Sequence, residues 1–170
     1  MQSIQTVSEN TIYVGASDRR LAKFENLFPI PRGVSYNAYV ILDEKTALLD
    51  TADASVGAQF LENVAAALDG RKLDYLIVDH MEPDHAAMIE AVLVRWPDLR
   101  LVVNAKTLPM LKMYFPTDSA AIDDALVVKE GDTLDLGKHK LTFVMAPMVH
   151  WPEVMMTFDT TTGTLFSADA

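Results

Sequence analysis

The order of short apolar segments and amphipathic segments constrains the fold of this chain more than any other feature. Two runs, at 46–50 and 75–78, are short and apolar, which predicts buried strands. Between them lies a segment that Asp53 or Ser55 can cap and that Gly70 can end, as in a helix. Its apolar residues fall on one helical face: Val56, Phe60, Leu61, Val64 and Leu68. The sequence therefore predicts a strand–helix–strand unit.

Further strands and helices are predicted on both sides of this unit. Residues 34–43 and 46–50, joined by a turn at Glu44-Lys45, have the pattern of a hairpin. Helices are predicted from near His85 and over 106–115. Short strands are predicted at 101–103, 126–128, 134–136, 141–145, 155–158 and 164–166. Helices and strands that alternate in the middle, with hairpins before and after, indicate an α/β fold in which helices cover a layered sheet.

Composition excludes several classes of protein. The chain has 170 residues, the length of one ordinary domain, and 50% of them are hydrophobic. A net charge of -10 argues against nucleic-acid binding, because phosphate contacts need clustered Lys and Arg. The sequence has no run of about 18 apolar residues that would cross a membrane. It also has no basic-then-apolar leader, so we expect a cytoplasmic protein.

Four side chains that can bind a metal ion follow the strand at 75–78. They are His80, Glu82, Asp84 and His85, in the sequence HMEPDH. In an extended loop, residues that alternate along the chain point to the same side, so the first three side chains converge. Each residue alone fits a solvated turn with Asp84 as a helix cap, but the four together favour a metal site.

Two more potential ligands occur in the same setting, just past an apolar strand. His150 follows the strand at 141–145, and Asp169 follows the strand at 164–166. Active loops of α/β folds lie beyond the carboxyl ends of strands, which is where the first cluster also lies. We expect His139, between two lysines in a turn, to lie at the surface.

The ligand types narrow the choice of metal. The chain has no cysteine, so any ion must be held by nitrogen and oxygen. A bridging carboxylate can hold two ions about 3.5–4 Å apart. Several carboxylates without a thiolate favour iron or manganese, while zinc hydrolases also use such sites. The residues alone therefore predict a dinuclear site.

The HMEPDH segment resembles the HxHxDH motif of the metallo-β-lactamase fold, with Glu82 in place of the second histidine. That exchange is typical of flavodiiron proteins, also called A-type flavoproteins, and this form resembles the branch found in anaerobes. The resemblance covers essentially the whole chain. The other matching stretches are 13–20, 24–28, 31–51, 104–106, 131–134 and 150–152. The resemblance to flavodiiron proteins implies an αββα sandwich. Residues 1–170 would form an N-terminal portion of this sandwich, incomplete at its C-terminus.

The resemblance also implies a catalytic site. One iron would be bound by His80, Glu82 and His150, the second by Asp84 and His85, and Asp169 would bridge them. Flavodiiron proteins reduce O2 to water, NO to N2O, or both.

In the family, electrons arrive through FMN from rubredoxin or a related carrier. Family members carry one more iron-binding histidine and a flavodoxin-like FMN domain beyond the region that matches this chain. We therefore expect a second chain or subunit to supply both, in a head-to-tail homo-oligomer of the full protein. The alternatives are a zinc-dependent hydrolase of the same fold and a truncated, inactive domain.

Overall fold

The computed structural model of the protein describes residues 3–24, 26–116 and 119–170. The strands are β1 Gln5–Ser8, β2 Thr11–Tyr13, β3 Ala16–Asp18, β4 Lys23–Phe24, β5 Phe28–Pro29, β6 Val34–Tyr36, β7 Tyr39–Leu42, β8 Thr46–Leu49, β9 Tyr75–Ile77, β10 Arg100–Asn104, β11 Leu126–Val128, β12 Thr133–Asp135, β13 Lys140–Met145, β14 Met155–Asp159 and β15 Thr164–Phe166. The helices are α1 Gly57–Leu68, α2 Pro83–Ala86, α3 Ile89–Arg95, α4 Thr107–Tyr114 and α5 Ser119–Asp123, with a 3-10 turn at Ala54–Val56 before α1.

The larger sheet has seven strands in the order β1-β2-β7-β8-β9-β10-β11. The strands from β8 to β11 run parallel, and helical segments connect each of them to the next. Neighbouring parallel strands need such crossover connections. Because these crossovers all have the same handedness, their helices lie on one face of the sheet. The carboxyl ends of β8, β9 and β10 therefore meet at one edge.

The smaller sheet is an antiparallel meander of β12, β13, β14 and β15. It packs on the face of the large sheet that the helices leave free. Alternation along β9 shows the arrangement: Leu76 joins the core under the helices, whereas Ile77 joins the core between the two sheets. Phe143 and Met155 fill the intersheet core from the small sheet. These layers are the helix–sheet–sheet part of the expected αββα sandwich, which confirms the fold class.

Local signals account for the start and end of α1. The Asp53 side chain accepts a hydrogen bond from the Ser55 backbone N–H at 2.8 Å, so Asp53 caps the 3-10 turn that leads into α1. Asp69 and Gly70 both have positive φ at the other end, which stops the helix. The buried face of α1 includes Phe60 and Val64, as the periodicity predicts.

Two predicted elements differ from the structure. The strand predicted at 34–43 is broken, because β6 pairs with β3 in a separate ribbon and only β7 continues into the hairpin with β8. The helix predicted from near His85 is two short helices, α2 and α3. Among the described residues, no helix is both long and apolar enough to span a bilayer.

The expectation that His139 lies at the surface is wrong. Its exposed fraction is 2%, and its Nδ1 lies 2.8 Å from Oδ2 of the buried Asp159. The His139 backbone N–H also donates to Asp43 between β7 and β8, at 2.6 Å. Burial alone would raise the pKa of Asp159, but hydrogen bonds from Thr162 and His139 outweigh it and hold that pKa below its usual value. His139 thus ties turns of the two sheets together.

We expect His139→Ala to lower the free energy of unfolding by about 3 kcal/mol, because it leaves a buried carboxylate without its ring partner. Urea unfolding followed by circular dichroism measures the change. Lys138→Ala, at an exposed position of the same turn, is the matched control and should cost less than about 0.5 kcal/mol. Equal midpoints for the two variants would contradict this role.

Candidate metal centre

All six residues singled out from the sequence lie together at the edge where strands of both sheets end. They form two groups, and within each group the candidate ligand atoms lie within 4.8 Å of one another. The first group contains His80, Glu82, His150 and Asp169, and the second contains Asp84, His85 and Asp169. Asp169, just after β15, belongs to both groups. The structure therefore shows one cluster with a shared carboxylate.

The first group is centred on the Glu82 carboxylate. Its Oε2 lies 3.1 Å from His80 Nε2 and 2.9 Å from His150 Nε2. His80 and Glu82 sit two residues apart in the loop after β9, whereas His150 reaches the same point from the loop between β13 and β14. Asp169 Oδ2 lies 3.8 Å from His150 Nε2.

The second group is centred on His85, in the short helix α2. Its Nε2 lies 2.9 Å from Asp169 Oδ1 and 3.8 Å from Asp84 Oδ2. Pro83 is the first residue of α2, where a missing N–H costs nothing, and it fixes the backbone between Glu82 and Asp84. Asp84 Oδ1 is buried and has no hydrogen-bond partner in the described part of the chain. A buried carboxylate oxygen without a donor is costly, and a bound cation would remove that cost.

One wall of the cluster is open to solvent. The side chains of His80 and Glu82 are 0% and 6% exposed, whereas those of His150 and Asp169 are 50% and 39% exposed. Within residues 1–170, the candidate ligand atoms therefore form a buried floor with a more exposed side.

Sequence reasoning missed two buried carboxylates that contact the imidazoles. Asp50, just past β8, lies with Oδ2 at 2.9 Å from His85 Nδ1, and Glu153 lies with Oε1 at 2.8 Å from His80 Nδ1. Asp50 Oδ1 also accepts the backbone N–H of Asp79 at 2.8 Å. The signal for Asp50 was its position at a strand end of the same edge; only the fold shows where Glu153 points.

Asp79 connects the ligand loop to the small sheet. Its Oδ1 accepts the Thr157 hydroxyl at 2.8 Å, and its carbonyl accepts the Met155 backbone N–H at 3.0 Å. Burial, together with the nearby charge of Asp50, raises the pKa of Asp79 well above its ordinary value. Asp79 is therefore a buried link between the layers, which fixes the loop that begins at His80.

The electrostatics show an excess of negative charge. Burial raises the pKa of Asp84 to about 6. Burial alone would lower the pKa of His85, but hydrogen bonds to Asp169 and Asp50 outweigh it and raise that pKa to about 11. The hydrogen bond from His85 in turn lowers the pKa of Asp169. The site thus holds positive charge tightly.

The donor set fits metal ions. Both ring nitrogens of His80 and of His85 face carboxylate oxygens, which only accept hydrogen bonds. A neutral imidazole has one N–H, so the second nitrogen of each ring needs an extra proton or a cation beside it. Within the described ranges, the only ion-pair partners of Glu82, Asp84 and Asp169 are histidines. Cations between Nε2 and these carboxylates would satisfy all of the groups.

Fold and candidate site together indicate the class of metallo-β-lactamase-like α/β proteins. Residues 34–170 match the family described as ODP family beta lactamase, and the chain belongs to that family. The chain is 36% identical over 166 residues to the anaerobic nitric oxide reductase flavorubredoxin of Klebsiella pneumoniae, a match that covers 96% of this chain and 34% of that protein. The chain spans between 28% and 34% of the length of the first curated relatives that it matches.

Solved structures agree with this family. The flavodiiron protein of Giardia intestinalis superposes with a TM-score of 0.90 at 27% identity, covering 98% of this chain and 40% of that one. Rubredoxin oxygen:oxidoreductase of Desulfovibrio gigas superposes with a TM-score of 0.89 at 31% identity, covering 96% of this chain and 40% of that one. The resemblance to flavodiiron proteins is therefore confirmed.

Proposed function

We propose that this chain binds two iron ions and serves the reduction of O2 to water, of NO to N2O, or of both. The observation that carries the proposal is the pair of ligand groups that share Asp169. His80, Glu82 and His150 would hold one ion, and Asp84 and His85 the other, with Asp169 between them.

Glu82 favours iron and redox chemistry over zinc and hydrolysis. A carboxylate at this position adds a negative charge where an imidazole would be neutral. Additional negative charge stabilises the more highly charged, oxidised state of an ion, because Coulomb attraction grows with the charge of both partners. Carboxylate-rich sets of nitrogen and oxygen ligands suit iron and manganese. Two iron ions bound here would supply reducing electrons and open positions for a diatomic substrate.

The protein's own residues shape the access of the substrate. His80, Glu82 and His85 are buried and hold the floor of the site. His150 and Asp169 line the more exposed side of the cluster within residues 1–170. Asp50 and Glu153 hold His85 and His80 from behind, so the floor is rigid before any ligand binds.

Electron delivery follows from the relatives. The names flavorubredoxin and rubredoxin oxygen:oxidoreductase support a flavin and a rubredoxin-like donor. We infer that electrons reach the site through FMN on a flavodoxin-like domain, and that this domain and one more histidine lie outside residues 1–170. A head-to-tail homo-oligomer would bring these parts together. The cytoplasmic location stays a prediction of the sequence.

The test is an activity assay on the protein reconstituted with Fe²⁺ under anaerobic conditions. With chemically reduced FMN as the electron source, we expect consumption of O2, NO or both, measured with gas electrodes. Glu82→Ala should lower the rate at least tenfold because it removes the carboxylate shared by His80 and His150. Glu62→Gln, at an exposed carboxyl group on α1, should leave the rate unchanged.

A different outcome would identify the alternative activity. Protein that retains zinc instead of iron, hydrolyses an ester and consumes neither gas would show a hydrolase and would refute the proposed reduction.

A further inference from the structure

Glu153 is a fully buried carboxylate that lies behind the ligand cluster. Its side chain is 0% exposed and follows His150, Trp151 and Pro152 in the loop between β13 and β14. Glu153 Oε1 lies 2.8 Å from His80 Nδ1 and accepts the Met81 backbone N–H at 3.0 Å. One oxygen atom therefore contacts both the ring of His80 and the backbone that follows it.

This contact determines which nitrogen of His80 is free. Glu153 Oε1 already accepts the Met81 N–H, so this oxygen is an acceptor, and the Nδ1 that faces it carries a hydrogen. Nε2 of a neutral ring is then bare and points toward Glu82, 3.1 Å away. A bare nitrogen is the form of imidazole that binds metal ions.

The backbone around Glu153 is fixed by the neighbouring strand β10. Asn104, at the end of β10, donates its side-chain N–H to the Glu153 carbonyl at 2.6 Å. Lys106 Nζ donates to the Pro152 carbonyl at 3.1 Å. The backbone that carries the Glu153 carboxylate is therefore held by residues at and just after the end of β10.

The burial of Glu153 has no explanation in packing alone. Its second oxygen, Oε2, is buried and has no hydrogen-bond partner in the part of the chain that the structure describes. A buried charge with an unsatisfied oxygen destabilises a fold unless positive charge lies nearby. A metal ion bound at His80 Nε2 would attract the Glu153 carboxylate through the imidazole ring. This attraction would offset the cost of burying Glu153.

We propose that Glu153 is a positioning residue that fixes His80 with Nε2 toward the ion, and that its charge strengthens the binding of that ion. The inference rests on the proposed metal centre. The other two imidazoles differ: His85 is held by Asp50, and the ion pairs of His150 among the described residues are on its Nε2. Glu153 therefore acts on the ion of the His80 group and not on that of the His85 group.

Two substitutions separate orientation from charge. Glu153→Gln keeps an oxygen that can accept from His80 Nδ1 and from the Met81 N–H, but it removes the charge. Glu153→Ala removes both. We expect Glu153→Ala to weaken the binding of one of two ions by 10–100-fold and to leave the other unchanged, the range seen when such carboxylates behind a metal-bound histidine are lost. Glu153→Gln should weaken the same ion by less than Glu153→Ala does.

The first measurement is the state of the His80 ring in metal-free protein, by ¹⁵N NMR of the labelled histidines. At a pH high enough for the His80 ring to be neutral, we expect its hydrogen on Nδ1 in the unsubstituted protein and in Glu153→Gln. In Glu153→Ala we expect the Nε2–H form that free histidine favours. His85, held by Asp50, is the internal control and should not change. If Glu153 only stabilised the fold, its loss would not shift the hydrogen of His80 from Nδ1 to Nε2.

The second measurement is competition between the protein and a chelator for Zn²⁺ and for Fe²⁺. Loss of affinity at one ion, together with the changed His80 ring, supports the inference. An unchanged His80 ring in Glu153→Ala, or equal affinities in all three proteins, would overturn it. If the unsubstituted protein binds neither metal, the proposed function fails, and the NMR result alone decides whether Glu153 orients His80.

Discussion

Replacing Asp169 with asparagine is expected to cost the protein both ions, whereas replacing His150 with alanine should cost it one. Asp169 belongs to both ligand groups, with Oδ1 at 2.9 Å from His85 Nε2 and Oδ2 at 3.8 Å from His150 Nε2. An asparagine side chain has one acceptor oxygen and no charge, so it cannot bridge two cations. Iron per chain, measured after anaerobic reconstitution and desalting, should fall from about two to below about half an ion.

His150 provides the matched comparison, because it belongs only to the group of His80 and Glu82. We expect His150→Ala to keep about one iron per chain. Glu62→Gln should keep both ions and reports any loss during handling. If Asp169→Asn and His150→Ala lost iron equally, Asp169 would not be shared between the ions.

The second large effect concerns the core between the two sheets. Phe143 is 0% exposed and packs there with Ile77 and Met155. We expect Phe143→Ala to lower the free energy of unfolding by about 3–5 kcal/mol, because it removes a buried aromatic ring and leaves a cavity. Urea unfolding at fixed protein concentration measures this change.

An exposed phenylalanine serves as the control. Phe28 in β5 is 61% exposed, so Phe28→Ala should change the free energy of unfolding by less than about 0.5 kcal/mol. Similar losses for Phe143→Ala and Phe28→Ala would show that the two sheets do not pack as described. The ligand cluster depends on that packing, since Asp79 joins the loop after β9 to Thr157 in the small sheet.

The ligand cluster could be predicted because its residues share one local signal. His80, His150 and Asp169 each follow an apolar strand, and polar residues at strand ends collect at one edge of a layered sheet. This rule about strand ends can be applied without knowing which residues far apart in the sequence contact each other. The central strands could be predicted for the same reason, since β9 is apolar on both faces and is buried on both.

The contacts behind the ligands could not be predicted, because they depend on pairs far apart in the chain. Glu153 contacts His80 across 73 positions, and His139 contacts Asp43 across 96. Lysines on both sides of His139 indicated an exposed turn, but its ring is buried beside Asp159 at the end of β14. Strand β1 near the N-terminus was also missed, because it is polar and exposed and gives little periodic signal.

The most direct test of the central claim is the Mössbauer spectrum of protein reconstituted with ⁵⁷Fe under anaerobic conditions and then oxidised. Two ions that share Asp169 should give two iron environments whose spins couple, so the oxidised sample should show a diamagnetic pair at low temperature. We predict that spectrum for the unsubstituted protein and its loss in Asp169→Asn. A single magnetically isolated iron, or protein that takes up no ⁵⁷Fe, would contradict a shared two-iron centre.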